Sequence, residues 1–390
     1  MRSRRIPVRF ALVLTSFLLA CLLAEIMARF YLTRLAPPEI FDRYASLEQL
    51  TERYGQPRHI NHRYLGFALN PDYRSGTNRH NSRGFRGDEV LVPKPEGIFR
   101  IVCMGGSTTY SASVEDYHES YPFRLQQELH NIGYARVEVV NAGVFSYTSS
   151  EGLINFETRI LDLQPDLVII YDGVNDVDAR LVWPPKVYTG DSSGYARRLP
   201  ATTPPLLEQI TLTRMVLVYF EWTEPHIALT RNFIDTPGTY VGNQFLNQYE
   251  DGIYPTDLFA SAPVETILET NQPIYFERNL RNLIAIAAAH GVEVVLATFT
   301  ASPAFVENGR ASSPEFLSAY VEQNRVLRTI AETTPAFLFD FAAAMPLEAR
   351  YFSDGVHYSA EGNLLRGSLY ARYLIDSGLL PPGSDLPPSP

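Results

Sequence analysis

The chain has 390 residues, of which 45% are apolar and 19% charged, and its formal net charge is −10. That composition excludes global disorder and leaves enough apolar mass for a substantial core. The six arginines of the first 35 residues face one acidic residue, Glu25, so the rest of the chain is more acidic than the whole, which argues against a nucleic-acid partner.

The N-terminus pairs a basic stretch, residues 1–9 with Arg2, Arg4, Arg5 and Arg9, with an apolar run over residues 10–32. A helix needs about 20 residues to cross a bilayer, and this run reaches that length if Glu25 and Arg29 lie near the far interface. The arginines put the N-terminus in the cytoplasm and the body outside, on the periplasmic side if the source is bacterial. Three readings compete: an uncleaved signal anchor, a lipoprotein acylated at Cys21 within Leu18-Leu-Ala-Cys21, and a cleaved signal peptide. The apolar residues after Cys21 favour the anchor. The only other cysteine, Cys103, sits in a predicted buried strand, so no disulfide is expected.

Residues 33–97 form a polar connector with Pro, Arg and Tyr, read as a lid or brace. It contains Asn78-Arg-His-Asn-Ser-Arg-Gly-Phe-Arg-Gly-Asp-Glu89, and His80 in it reads as a surface or bracing histidine. From residue 98 strands and helices alternate. Strands are predicted at 101–104, 137–141, 167–171, 292–298 and 336–341. Helices are predicted at 121–130, 150–161, 276–290, 314–332 and 360–377. This alternation predicts an α/β fold with a parallel, helix-covered sheet, whose ligands bind beyond the carboxyl ends of the strands. Residues 180–272 interrupt the rhythm and read as an insertion. Its aromatics, Trp183, Trp222 and Tyr240, suit either a sugar-stacking wall or the core of a small cap. Residues 379–390 read as a disordered tail.

Chemistry-bearing residues gather at the predicted strand ends. Ser107 follows the first, in Arg100-Ile-Val-Cys-Met-Gly-Gly-Ser-Thr-Thr109. Gly143 follows the second, and Gly173, Asn175 and Asp176 follow the third. Asp354 and His357 follow the last. Acyl transfer needs a hydroxyl nucleophile, a base that takes its proton, a carboxylate that orients the base, and donors for the developing oxyanion. His118, with Asp116 on the same loop, is the nearest rival to His357. Asp172, Asp176 and Asp178 crowd one loop but lack a completing ligand, so no metal or other cofactor is expected.

In these four blocks the sequence resembles the SGNH (GDSL-type) hydrolases. Met104-Gly-Gly-Ser-Thr108 resembles the first block, with Gly106 where the family often has Asp, and Asn141-Ala-Gly143 resembles the second. Gly173-Val-Asn-Asp176 and Asp354-Gly-Val-His357 resemble the third and fourth. The resemblance covers residues 98–378 and implies a three-layer α/β/α sandwich with a parallel, flavodoxin-like sheet. It implies Ser107 as nucleophile, His357 as base and then acid, and Asp354 as its orienting carboxylate. The oxyanion hole would be formed by the Ser107 N–H, the Gly143 N–H and the Asn175 amide. The expected function is hydrolysis of carboxylic esters, whether small-molecule, lipid or acylated glycan. One alternative is O-acetyl removal or transfer on envelope polysaccharide, and another is a non-catalytic binding or assembly protein on the same fold.

Overall fold

The computed structural model describes residues 5–55, 58–183, 185–191, 206–223, 225–226 and 262–381. Most of the expected insertion, including Tyr240, and most of the expected tail lie outside the described residues. The described residues form two compact units, one drawn from residues up to 61 together with 206–226, the other from 62–191 together with 262–381. The larger unit thus starts at residue 62 rather than at the expected boundary of 98, because the second half of the connector is folded into it.

The smaller unit contains α1 (Arg5–Phe30), α2 (Pro38–Tyr44), α3 (Leu47–Tyr54) and, from much later in the chain, α8 (Thr211–Tyr219). The apolar stretch Phe10–Leu35 is long and apolar enough to cross a membrane, and its most apolar 18 residues include none that is buried. A π-helical turn, Tyr31–Leu35, extends α1 to Pro-rich sequence that starts α2. Leu32, Phe41, Tyr44, Ala45, Leu50 and Val218 form this unit's own core.

The larger unit is built on a five-stranded sheet. Its strands are β1 (Phe99–Gly105), β2 (Val137–Gly143), β3 (Leu167–Tyr171), β4 (Glu293–Ala297) and β5 (Phe337–Phe339). All neighbours run parallel, in the order β2-β1-β3-β4-β5. Its helices include α4 (Ser107–Tyr110), α5 (Tyr121–Asn131), α6 (Ser149–Asn155), α7 (Val174–Arg180), α9 (Val264–Thr270), α10 (Ile274–Ala289), α11 (Pro314–Thr333) and α12 (Ala360–Asp376), besides single turns at Gly309–Ser312 and Phe341–Ala344.

Strand residues alternate between two apolar layers, as the two-residue period of a strand requires. Ile101, Cys103, Leu167, Ile169, Val295 and Ala297 point into the layer covered by α5 and α12. Val102, Met104, Val168, Ile170, Val294 and Leu296 point into the layer covered by α6 and α10. Helices on both faces give the expected three-layer α/β/α sandwich. The helix predicted over 150–161 is shorter as an α-helix than expected, because after Asn155 it opens into a π-helical turn, Phe156–Ile160. The chain order reverses around β1, with β2 on one side and β3 on the other. In open parallel sheets that reversal is where a crevice opens beyond the strand ends.

Candidate active site

Ser107 lies beyond the carboxyl end of β1, at this reversal, as the first residue of α4. Its Oγ is 2.8 Å from His357 Nε2. On the other side of the ring, His357 Nδ1 is 2.7 Å from Asp354 Oδ2. The remaining carboxylate oxygen, Oδ1, accepts the backbone N–H groups of Val356 at 2.9 Å and His357 at 2.7 Å. A single tight loop therefore carries both groups and fixes their mutual geometry. A bridge between Phe352 and Tyr358 closes that loop, and Asn308 Nδ2 holds the Asp354 carbonyl at 2.7 Å. Burial pushes the Asp354 pKa up, but the hydrogen bonds and charge of the His357 ring, aided by the two N–H groups, outweigh it and hold the carboxyl at about 2. With Asp354 charged and accepting at Nδ1, the imidazole presents Nε2 to the serine and can take its proton.

Asn175, at the start of α7, places its amide beside the serine turn. A Cβ built on Gly106 would lie 2.4 Å from Asn175 Nδ2. The glycine therefore vacates the space that the asparagine amide fills, and the acidic side chain often found before the serine in the resembled family has no room here. The same Nδ2 donates to the Tyr147 carbonyl at 2.9 Å, which uses one of its two hydrogens, and among the described residues the other has no acceptor.

Gly143 is close to the serine helix but its N–H is committed. A Cβ there would lie 2.1 Å from Tyr110 N, so the missing side chain is what lets α4 pack against the end of β2. The Gly143 N–H donates to Asn141 Oδ1 at 3.0 Å. The next turn offers a different donor. Ser146 is buried and holds a left-handed backbone, with φ of 58°. Among the described residues its N–H has no acceptor. Its neighbour Tyr147 has its carbonyl 3.6 Å from where a Gly106 Cβ would be, so this turn lies beside the one that carries Ser107. Sequence reasoning missed Ser146 because left-handed turns usually advertise themselves with glycine or asparagine.

The connector braces the serine helix from behind. Arg86 is buried and donates to the carbonyls of Tyr110, Ser111 (2.9 Å), Val114 (2.7 Å) and Glu115 (3.1 Å). His80 is fully buried rather than at the surface, with Nε2 3.0 Å from the Tyr110 hydroxyl. These contacts fix the segment that leaves α4. His118 is elsewhere: its Nδ1 pairs with Asp116 at 2.7 Å on an exposed loop and its ring lies against Tyr117.

The three aspartates after β3 do not converge on one point. Asp178 pairs with Arg310 at 3.0 Å. Asp176 accepts from the Ser149 N–H and hydroxyl at 3.0 and 2.6 Å and so pins the start of α6. Asp172 is buried near Glu151, and burial first, then the Glu151 charge, pushes its pKa up to about 7. Burial and the Asp172 charge likewise push Asp176 upward. A carboxyl with a raised native pKa stabilises the fold at low pH, and that contribution is lost as pH rises from the ordinary value of about 4 through about 7. Asp172→Asn should therefore flatten the fall in melting temperature between about pH 5 and about pH 8 relative to the wild type. An unchanged slope in paired thermal melts would show that Asp172 is not the group responsible.

The GDSL-like lipase/acylhydrolase family matches residues 103–365 of the chain. Among solved structures, the lipase/acylhydrolase from Enterococcus faecalis is 17% identical, with 73% of this chain and 98% of that one covered and a TM-score of 0.42. TesA is 16% identical over 72% of this chain and 99% of that one, with a TM-score of 0.41. A GDSL-like lipase from Bacteroides thetaiotaomicron is 15% identical over 74% and 93%, with a TM-score of 0.40. No curated protein matches. The family match runs from the buried strand before Ser107 into the helix after His357 and takes in every strand end described above, so the chain belongs to the GDSL-like lipase/acylhydrolase family.

Proposed function

We propose that this protein hydrolyses carboxylic esters through an acyl-serine intermediate on Ser107. The observation that carries the reading is the unbroken hydrogen-bond chain from Asp354 through His357 to the Ser107 hydroxyl. In the first step, Ser107 Oγ attacks the ester carbonyl carbon while His357 Nε2 takes the hydroxyl proton. The negative charge that builds on the carbonyl oxygen meets the Ser107 N–H, the free hydrogen of Asn175 Nδ2 and the Ser146 N–H. We assign Ser146 the place that Gly143 was expected to take, because the Gly143 N–H already has an acceptor. Collapse of the intermediate breaks the bond to the alcohol, which leaves with the proton from His357. Water then enters and attacks the acyl carbon as His357 takes its proton, and collapse breaks the bond to Ser107 Oγ, which takes that proton back from His357 as the acid is released.

The same reading places α1 across a membrane as an uncleaved anchor, with the body on the side opposite the arginine-rich N-terminus. Its support is a helix that continues without a break through Cys21 to Phe30. The test of the activity is labelling of the full-length protein by a fluorophosphonate, with the adduct mapped by mass spectrometry. The expected result is one adduct, on Ser107, with loss of p-nitrophenyl ester hydrolysis in step with labelling. Folded protein that leaves Ser107 unmodified would favour a binding role on this fold and overturn the enzymatic one.

A further inference from the structure

The segment 206–222 has an apolar face that nothing in the ester-hydrolysis reading uses. α8 turns one side inward and leaves an apolar side exposed. Its inner side, with Thr211, Arg214 and Val218 buried and Met215 packed beside them, closes the core of the smaller unit. Its only charge, Arg214, points inward and donates to the carbonyls of Tyr44 and Glu208, each at 2.7 Å. Its outer side carries Leu212, Val216 and Tyr219, all exposed, and the flanking residues Leu207, Ile210 and Phe220 are exposed as well. Trp222 is 72% exposed and stacks on Phe220 with ring centroids 5.6 Å apart. A soluble surface rarely leaves a continuous apolar patch of this kind uncovered.

The face is joined to α1. The Glu25 carboxylate, within α1, accepts the first two N–H groups of α8, from Thr211 at 2.9 Å and Leu212 at 2.8 Å. That contact uses the one acidic charge of α1 to cap a second helix, at the end of α1 farthest from its N-terminus. Arg29 and Arg34 are exposed at the same end. An apolar rod, a second apolar face beside its outer end, a cluster of Tyr, Phe and Trp, and flanking arginines form the pattern of a membrane–water interface.

We propose that α8 and its flanks are a second membrane-contacting element, lying in the outer interface beside α1 with Phe220 and Trp222 inserted at headgroup level. The occupant of the face is lipid, because the patch continues the lipid-facing surface of α1 itself. The proposal rests on the reading of α1 as a membrane helix. It implies that the smaller unit is seated on the bilayer by two contacts rather than tethered by one.

The test uses the full-length protein in vesicles of phosphatidylethanolamine and phosphatidylglycerol, with acyl chains unlabelled, brominated near the headgroup, or brominated near the bilayer centre. Trp222 is one of only two tryptophans. A Trp183→Phe variant isolates it. The difference between wild type and Trp222→Phe reads the same ring without touching the packed Trp183. The expected result is loss of on the order of half the Trp222 emission with shallow bromine and much less with deep bromine. Emission unaffected by either label, in protein that resists alkaline carbonate extraction, would overturn the proposal and leave the anchor standing. Crosslinking of residue 222 between two copies would also overturn it. Extraction of the protein by carbonate would remove the anchor reading, and this proposal with it.

Discussion

Alanine at Ser107 is expected to lower kcat/KM for a short-chain ester by about four to six orders of magnitude. Among the described residues the serine supplies the one oxygen hydrogen-bonded to His357 Nε2, at 2.8 Å, so in the proposed reaction its loss removes the nucleophile and leaves the base without a proton to take. His357→Ala should cost a similar factor, because an unassisted hydroxyl is a poor nucleophile. The double variant should be no slower than either single one, since the two groups act as one unit. Residual turnover should stay above the rate in water, because the Ser107 N–H, the Asn175 amide and the Ser146 N–H still polarise the carbonyl. Asp354→Asn should cost roughly four orders, as an amide oxygen at Nδ1 neither fixes the tautomer with the same strength nor offsets the imidazolium charge. Steady-state kinetics on p-nitrophenyl esters, with thermal melts as a fold control, read all four. A folded Ser107→Ala protein within tenfold of wild type would exclude Ser107 as the nucleophile.

Asp354, held at about 2, contributes stability that is present above the ordinary carboxylate range and is lost only as pH falls through about 2. The carboxylate beside the imidazole therefore stays charged throughout the mildly acidic range.

The sheet was legible in the sequence wherever strands are buried on both faces. The run 167–171 coincides with β3, and 101–104 lies inside β1, because uninterrupted apolar pairs such as Val168-Ile169 have no other use in a helix-covered sheet. The ends of α5, α10 and α11 could be read from apolar periodicity, with Pro314 marking where α11 begins. What could not be read depends on contacts between distant residues. Arg86 lies in a polar, turn-forming stretch, and only the fold brings its guanidinium to four carbonyls of residues 110–115. Ser146 carries a backbone conformation that its side chain does not announce. Gly143 showed the right spacing, yet the spacing cannot say where its N–H points, and Asn141 two residues earlier captures it. Trp183 and Trp222 shared one insertion in the sequence, but one packs on the core of the larger unit and the other is exposed on the smaller.

Replacing Arg366 with methionine is expected to cost about 2–4 kcal/mol of stability and to lower kcat about tenfold with KM little changed. Arg366 is fully buried in α12, and among the described residues no carboxylate pairs with it. Instead its guanidinium lies 3.9 Å from the ring centroid of Tyr121, 4.2 Å from Tyr358, 4.7 Å from Tyr171 and 5.4 Å from Phe341. Its Nη1 donates to the Thr108 carbonyl at 2.9 Å, one residue after Ser107. Two opposing terms decide the sign. Desolvating an unpaired charge costs several kcal/mol, which a methionine of similar length would recover. Against this stand the ring faces, each contributing roughly 1–2 kcal/mol to a desolvated cation, and the Thr108 carbonyl, whose lost donor costs about 1–3 kcal/mol. Four rings and one carbonyl outweigh one desolvation, so the substitution destabilises. Arginine at this site links the first turn of the serine helix to the helix that follows His357. It positions the two halves of the hydrogen-bond chain without touching a reacting atom. Lysine should not rescue the variant, because its single ammonium lacks the planar fork that donates to Thr108 while stacking on the rings. Denaturant unfolding read beside steady-state kinetics separates the two effects. A methionine variant as stable and as fast as wild type would show that the cage is only an apolar seat and that the charge contributes nothing.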